Sequence, residues 1–160
     1  SRRALYKAHT GGTTGTPLDL YGDRPVALMN HACRFRVWRW AGVEFGRPFA
    51  TLLGKPIVPV GQKRPPFWRY NTSWSHLVLS CLHLKQENIP HYVQEMRDRR
   101  IEILETYPSA AFLLARFLEA AGEHLPLRCL MLSGEPLLQI EREIIAERFR
   151  TKPFDAYSQA

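Results

Sequence analysis

Residues Thr10-Gly11-Gly12-Thr13-Thr14-Gly15-Thr16-Pro17 carry the densest chemistry in the chain. Three glycines give the backbone access to positive φ and let a ligand approach the main chain closely. The hydroxyls of Thr10, Thr13 and Thr14 add side-chain donors, so backbone N–H and O–H groups can converge on phosphate oxygens. No Gly-Lys-Ser/Thr closes the run, so the lysine and magnesium-binding hydroxyl of a Walker A loop are missing. A flexible Gly/Thr turn accounts for the same residues. What favours a phosphate site is the alternating segment Ala4-Leu5-Tyr6-Lys7-Ala8, which reads as a strand feeding the loop. His9 abuts the loop and could approach a phosphate, or it could simply end that strand.

The histidines, carboxylates and hydroxyls elsewhere advertise less. His76 and His83 flank an apolar run with no third ligand in sight for a metal, which leaves packing or hydrogen-bonding roles. Glu102 and Glu105 read as a solvated strand edge rather than a paired-carboxylate acid and base. Ser109 and Ser133 lack the Gly-x-Ser-x-Gly elbow of a hydrolase nucleophile.

The elements that must position these groups are clearest in the second half. Asp23 as N-cap and Pro25 in the first turn open a helix that Gly42 stops, with Arg34, Arg36 and Arg39 near one side and Phe35 and Trp38 available for packing. Phe49 to Leu53 and Ile57 to Val60 read as short strands, and Gln62 to Pro66 as a proline-rich connection. Trp68, Tyr70 and Trp74 form an aromatic cluster, and Leu77 to Leu82 a buried strand. One unit then repeats: helix Glu87 to Arg99, strand Ile101 to Leu104, helix Ala110 to Ala121, strand Leu127 to Leu132, helix Leu137 to Arg150, strand Pro153 to Tyr157. The last helix should place Ile140, Ile144, Ile145 and Phe149 on one face. This alternation implies right-handed βαβ crossovers and an α/β fold with a mainly parallel sheet. Ligands of such sheets bind outside the carboxyl ends of the strands. Tyr107-Pro108-Ser109, Ser133-Gly134-Glu135-Pro136 and Tyr157-Ser158-Gln159 therefore belong to one rim.

Length and composition bound the alternatives. A chain of 160 residues supports one core. No run approaches the roughly 18 apolar residues of a membrane-spanning helix, and no charged-then-apolar signal opens the sequence. Cys33, Cys81 and Cys129 are odd in number, distant and free of any CxxC spacing, as expected of reduced thiols in a cytoplasmic protein. The net charge of +7 and the Arg34–Trp40 mixture of arginine and aromatics admit a polyanionic partner, nucleic acid included. Nucleotide phosphates suit such a balance equally well, and nucleic acid is the weaker reading. Opening at Ser1 and stopping at Ala160 directly after a strand, the sequence reads as part of a longer protein.

Taken together, the loop and rim segments resemble the adenylate-forming (AMP-binding) superfamily, in the branch of phenylacetate–CoA ligase and the CapK-type capsule polysaccharide biosynthesis proteins. Thr10 to Pro17 resembles its phosphate-binding motif, [ST]-[SG]-G-[ST]-[ST]-G-x-P. Ser133-Gly134-Glu135-Pro136-Leu137 resembles its adenine-flanking turn, and Asp155-Ala156-Tyr157-Ser158-Gln159-Ala160 the start of its Asp-x-Tyr-Gly-x-[Thr/Ser]-Glu motif. Tyr70-Asn71, Leu82-His83-Leu84, Glu87-Asn88 and Tyr107-Pro108-Ser109 are similar to the CapK-type branch in particular. The matches keep the family order along nearly the whole chain.

The resemblance implies that residues 1–160 are part of an N-terminal nucleotide-binding domain, with the downstream subdomain and C-terminal lid domain lying elsewhere. It implies an ATP- and Mg2+-dependent ligase that activates a carboxylic acid as acyl-adenylate. The acyl group would then pass to CoA, a carrier thiol or a sugar amine. Thr10, Gly11, Gly12, Thr13, Thr14 and Gly15 would hold the β- and γ-phosphates. Ser133, Gly134, Glu135, Pro136, Tyr157, Ser158 and Gln159 would flank the adenine, and Tyr107, Pro108 and Ser109 would contribute to an acyl pocket. Leu18 stands where many members have lysine, Ser158 replaces the motif glycine, and Ala160 stands where a hydroxyl residue is usual. The Mg2+-binding glutamate would follow Ala160, and the catalytic lysine belongs to the absent lid, so these residues alone should not catalyse adenylation. The departures leave a second reading open, a non-catalytic nucleotide-binding or partner-binding relative.

Overall fold

The computed structural model describes residues 5–9, 19–44 and 46–156. The chain divides into two compact units, one through residue 42 and the other from residue 43 to 159.

In the first unit, strands β1 (Tyr6–His9) and β2 (Asp19–Gly22) pair antiparallel, with His9 opposite Asp19. The sequence reading anticipated β1 but not β2, whose four residues Asp19-Leu20-Tyr21-Gly22 are too few to show a period. The glycine–threonine run lies outside the described residues, as does the whole of 10–18. Lys7 and Asp19 form an ion pair at 2.7 Å across the two strands. Helix α1 (Arg24–Trp40) begins as expected: the Asp23 carboxylate accepts the Val26 N–H at 3.1 Å and Pro25 occupies the first turn. Gly42, at φ +77, takes the left-handed conformation just beyond it. Within α1, Trp38 is buried and meets the Phe35 ring edge-on at 5.4 Å, while the Arg36 guanidinium lies over the exposed Trp40 ring. This is a packed helix with a solvated arginine edge.

The second unit is a six-stranded sheet with strands β3 (Phe49–Leu53), β4 (Trp68–Asn71), β5 (His76–Ser80), β6 (Ile103–Thr106), β7 (Cys129–Ser133) and β8 (Pro153–Ala156). Their spatial order is β4-β5-β3-β6-β7-β8, and every neighbouring pair is parallel except β4 with β5. Helices α2 (Ile89–Asp98), α3 (Pro108–Ala120) and α4 (Gln139–Phe149) form the crossovers into β6, β7 and β8. All three crossovers advance in the same direction along the sheet, so right-handed connections bring their helices to one face. That face supplies a continuous core: Ala50, Leu52, Leu77, Leu79, Leu104, Leu130 and Leu132 from the strands meet Tyr92, Met96, Leu114, Leu118, Ile145 and Phe149 from the helices.

Three expectations change. Residues 57–60 are not a strand: Pro59 cannot donate to a ladder, and Val58 is buried from a loop while Val60 is exposed. The aromatic cluster is instead the antiparallel edge strand β4. Its Trp68 and Tyr70 pack on the core, whereas Trp74 lies beyond it in a 3-10 turn and is half exposed. On α4, Ile145 and Phe149 are buried and Ile144 leans on the core, but Ile140 is 66% exposed. It sits in the first turn, where Leu138 N–H is held by the Glu141 carboxylate at 3.1 Å.

On the opposite face of the sheet, Cys129 is fully buried, and burial pushes its thiol up to about 11 from an ordinary value of 9.0. The unfolded chain releases that proton near pH 9 while the folded chain keeps it, so stability should fall as pH rises from about 9 to about 11. Urea midpoints across this range should fall less steeply for Cys129→Ala than for the parent. Parallel slopes would show that Cys129 carries none of the effect.

Candidate functional site

The carboxyl ends of β3, β6, β7 and β8 lie side by side along one rim of the sheet, through the pairs Leu52 with Thr106, Thr106 with Leu132, and Ser133 with Ala156. The order follows from the sheet: β6 emerges between β3 and β7. Tyr107, the first residue after β6, therefore lies between the exits of both neighbours. Its hydroxyl accepts a hydrogen bond from Gly54 N–H at 3.3 Å, just past the end of β3. Its ring edge packs against Gly134 on the other side, where a Cβ added to the glycine would sit 2.9 Å from Cε1. Gly134 is at φ +84, a conformation that favours glycine. One aromatic ring thus spans three strand ends.

The next link runs from β7 back to α3. Tyr107 is the N-cap residue of α3 and has no short polar side chain to cap it; Pro108 fills the first helical position. The cap comes from the neighbouring loop instead, where the Glu135 carboxylate accepts Ser109 N–H at 3.0 Å. A carboxylate at a helix N-terminus satisfies an orphan donor and meets the positive end of the helix dipole. Cys81, following β5, has its thiol pKa raised, first by burial and then by the Glu135 charge. Deeper in the rim the Thr106 hydroxyl donates to the Leu52 carbonyl at 2.9 Å, so this buried polar group is satisfied within the sheet.

The structure therefore brings Tyr107 against Gly134 and Ser109 against Glu135, with Pro108 between them in the chain. β8 carries Asp155 to the same edge, with its carboxylate 3.8 Å from the Arg142 guanidinium of α4. Thr10 to Gly15, and Tyr157, Ser158 and Gln159, lie outside the described residues.

His76 and His83 take structural partners. His76 Nε2 and Thr51 Oγ1 are 2.8 Å apart, and the His76 ring stacks on Phe49 at 4.1 Å. His83 bonds Ser80 and the Val60 carbonyl. Glu102 pairs with Arg47 at 3.3 Å, while Glu105 sits inside β6 opposite Thr51 and Met131, so the two carboxylates form no acid–base pair. Among the described residues no three His, Cys, Asp or Glu side chains form a group that could hold a metal ion. No helix among them is long and apolar enough to cross a membrane. Sequence reasoning missed Gly54 and the capping role of Glu135. A glycine directly after a strand was the only signal for the first, and nothing local marks the second.

No family model matches the chain. Protein CapK of Staphylococcus aureus is 30% identical over 122 residues, which cover 73% of this chain and 26% of CapK. A malonyl-CoA ligase solved with methylmalonyl-CoA and AMP superposes with a TM-score of 0.59 at 18% identity, over 96% of this chain and 32% of the ligase. This chain is CapK-like in sequence and shares its fold with part of an acyl-CoA ligase. A 2-hydroxyisobutyryl-CoA ligase, solved in an open conformation with 2-HIB-AMP and CoA, gives 0.60 at 18% identity, over 98% of this CapK-like chain and 36% of the ligase. Its α/β architecture and mostly parallel sheet match part of those acyl-CoA ligase structures. The CapK-like chain spans about a quarter of CapK and about a third of each ligase.

Proposed function

We propose that this chain is part of the N-terminal nucleotide-binding domain of an AMP-forming acid ligase. The substrate carboxylate attacks the α-phosphorus of ATP, forming the acyl–phosphate bond and releasing pyrophosphate as the leaving group. An acceptor nucleophile (CoA, a carrier thiol or a sugar amine) then attacks the acyl carbon, and AMP departs. The observation that carries this reading is the meeting of Tyr107–Ser109 with Gly134–Glu135 on the carboxyl rim of a parallel sheet, where open α/β folds bind ligands. The turn Ser133–Pro136 would flank the adenine with its backbone, and Tyr157, Ser158 and Gln159 would complete that contact. Thr10, Gly11, Gly12, Thr13, Thr14 and Gly15 would donate to the phosphates, where charge develops as pyrophosphate leaves. Tyr107 and Pro108 would wall the acyl side.

Mg2+ would neutralise phosphate charge in such a reaction. Among the described residues no group of three or more His, Cys, Asp or Glu side chains converges to hold it.

The test is ATP–pyrophosphate exchange by the full-length polypeptide with a panel of aryl and aliphatic acids. Exchange supported by one acid class is the expected result. ATP binding with no exchange for any acid would overturn the ligase reading in favour of a non-catalytic nucleotide-binding relative. In that case the departures Leu18, Ser158 and Ala160 would be the first residues to restore.

A further inference from the structure

The turn that would flank the adenine does not hold its own shape. It is short, it contains a glycine at φ +84, and Gly134, Glu135 and Pro136 are all exposed. Two side chains from outside the strand ladder fix it. The Glu135 carboxylate is drawn away to Ser109 N–H at the start of α3. The Tyr107 ring lies flush against Gly134 and is itself pinned at its hydroxyl by Gly54 N–H. Because the Glu135 side chain is committed to α3, the backbone of the turn is left as the surface available to a ligand. The two links close a loop, β6 exit to β7 exit to α3 and back, so neither the turn nor the first turn of α3 can shift alone.

We propose that Glu135 and Tyr107 are positioning residues, a clasp that holds the Ser133–Pro136 turn in its nucleotide-binding conformation. This rests on the ligase reading for what the turn binds, but the clasp itself is a property of the unliganded fold. Neither residue needs to touch the reacting atoms.

The experiment uses amide hydrogen exchange without nucleotide, followed by AMP and ATP titrations and exchange kinetics, on the full-length polypeptide. Glu135→Ala should accelerate exchange both at Ser109–Ala111 and across the Ser133–Leu137 turn. It should weaken AMP and ATP binding about five- to tenfold, the scale of a lost helix cap. Its KM for ATP should rise while the KM for the acid and kcat change little. Glu135→Gln, which keeps an acceptor oxygen, should restore most of the protection and affinity. Tyr107→Phe keeps the ring and loses only the Gly54 bond, so it should loosen the turn less than Glu135→Ala. Faster exchange at Ser109–Ala111 alone, with the turn unchanged, would overturn the clasp, and so would nucleotide affinity equal to that of the parent. A parent protein that binds neither AMP nor ATP would overturn the proposed function instead, and the exchange pattern would still decide whether the clasp exists.

Discussion

Gly134→Ala should lower stability by about 2–5 kcal/mol, and its cost should come from two separable sources. At φ +84 an L-residue is strained by about 1–2 kcal/mol. The new methyl group would also stand 2.9 Å and 3.1 Å from Cε1 and Cδ1 of Tyr107. The Tyr107 ring cannot retreat freely, because its hydroxyl is held by Gly54 and its body packs on the core. Overpacking of this kind costs a further amount of about 1–3 kcal/mol. The two parts can be separated by urea denaturation of Gly134→Ala, Tyr107→Ala and the double variant. The steric part should vanish in the Tyr107→Ala background, giving a coupling energy of about 1–3 kcal/mol, while the backbone part persists. A folded Gly134→Ala protein should also lose nucleotide binding, since the turn must open to admit the methyl group. A single variant with the urea midpoint of the parent would show that the turn is not held against the ring.

His83→Ala should cost about 3–5 kcal/mol, although the residue lies in no helix or strand of the main framework. It occupies a 3-10 turn, Cys81–His83, directly after β5. Its Nε2 lies 3.1 Å from the Val60 carbonyl, so that nitrogen donates, and Nδ1 accepts from the fully buried Ser80 hydroxyl at 2.8 Å. The ring stacks on Phe67 at 5.1 Å, and Tyr92, beside the same Phe67, donates its hydroxyl to the Ser80 carbonyl at 2.7 Å. Asn88 completes the network by donating to the His83 carbonyl at 2.9 Å. Removing the imidazole strands a buried hydroxyl, worth about 1–3 kcal/mol, and opens a cavity beside Phe67 with its own cost of about 2 kcal/mol. Tyr92→Phe loses a single hydrogen bond in the same network and should cost about 1–2 kcal/mol. Guanidinium denaturation of both variants checks the ranking, and equal losses would show that His83 does not anchor the loop carrying Val60.

Much of this molecule is legible in the sequence, for a local reason. Helix α1 is announced by Asp23, Pro25 and Gly42, each acting within one turn of its own position. The βα repeat of the second unit is written in runs such as Cys129-Leu130-Met131-Leu132, long enough to show burial, and in the glycine that stops α3. The parallel sheet, and with it the rim carrying Tyr107 and Gly134, follows from that alternation. Its element ends differ from the sequence reading by a residue or two. Burial patterns fade at strand ends, and a first turn such as Gln86–Asn88 takes 3-10 geometry before α2 begins.

The sequence by itself determined the alternation of elements, the rim and the family resemblance, because periodicity, caps and motifs are properties of adjacent residues. Only the tertiary structure decided what depends on pairs distant along the chain. The aromatic stretch at Trp68 became an antiparallel edge because β5 offered an unpaired side, which no local pattern records. Likewise β3 was placed between β5 and β6, although β4 and β5 intervene in the chain. That insertion sets Gly54 beside Tyr107, 53 positions away, and the next strand sets Glu135 against Ser109, 26 positions away. Neither Glu135 nor Gly54 differs in type from residues that do nothing in particular. Their roles exist only where the sheet order brings three strand ends together, because a hydrogen bond depends on distance in space and not on separation in sequence.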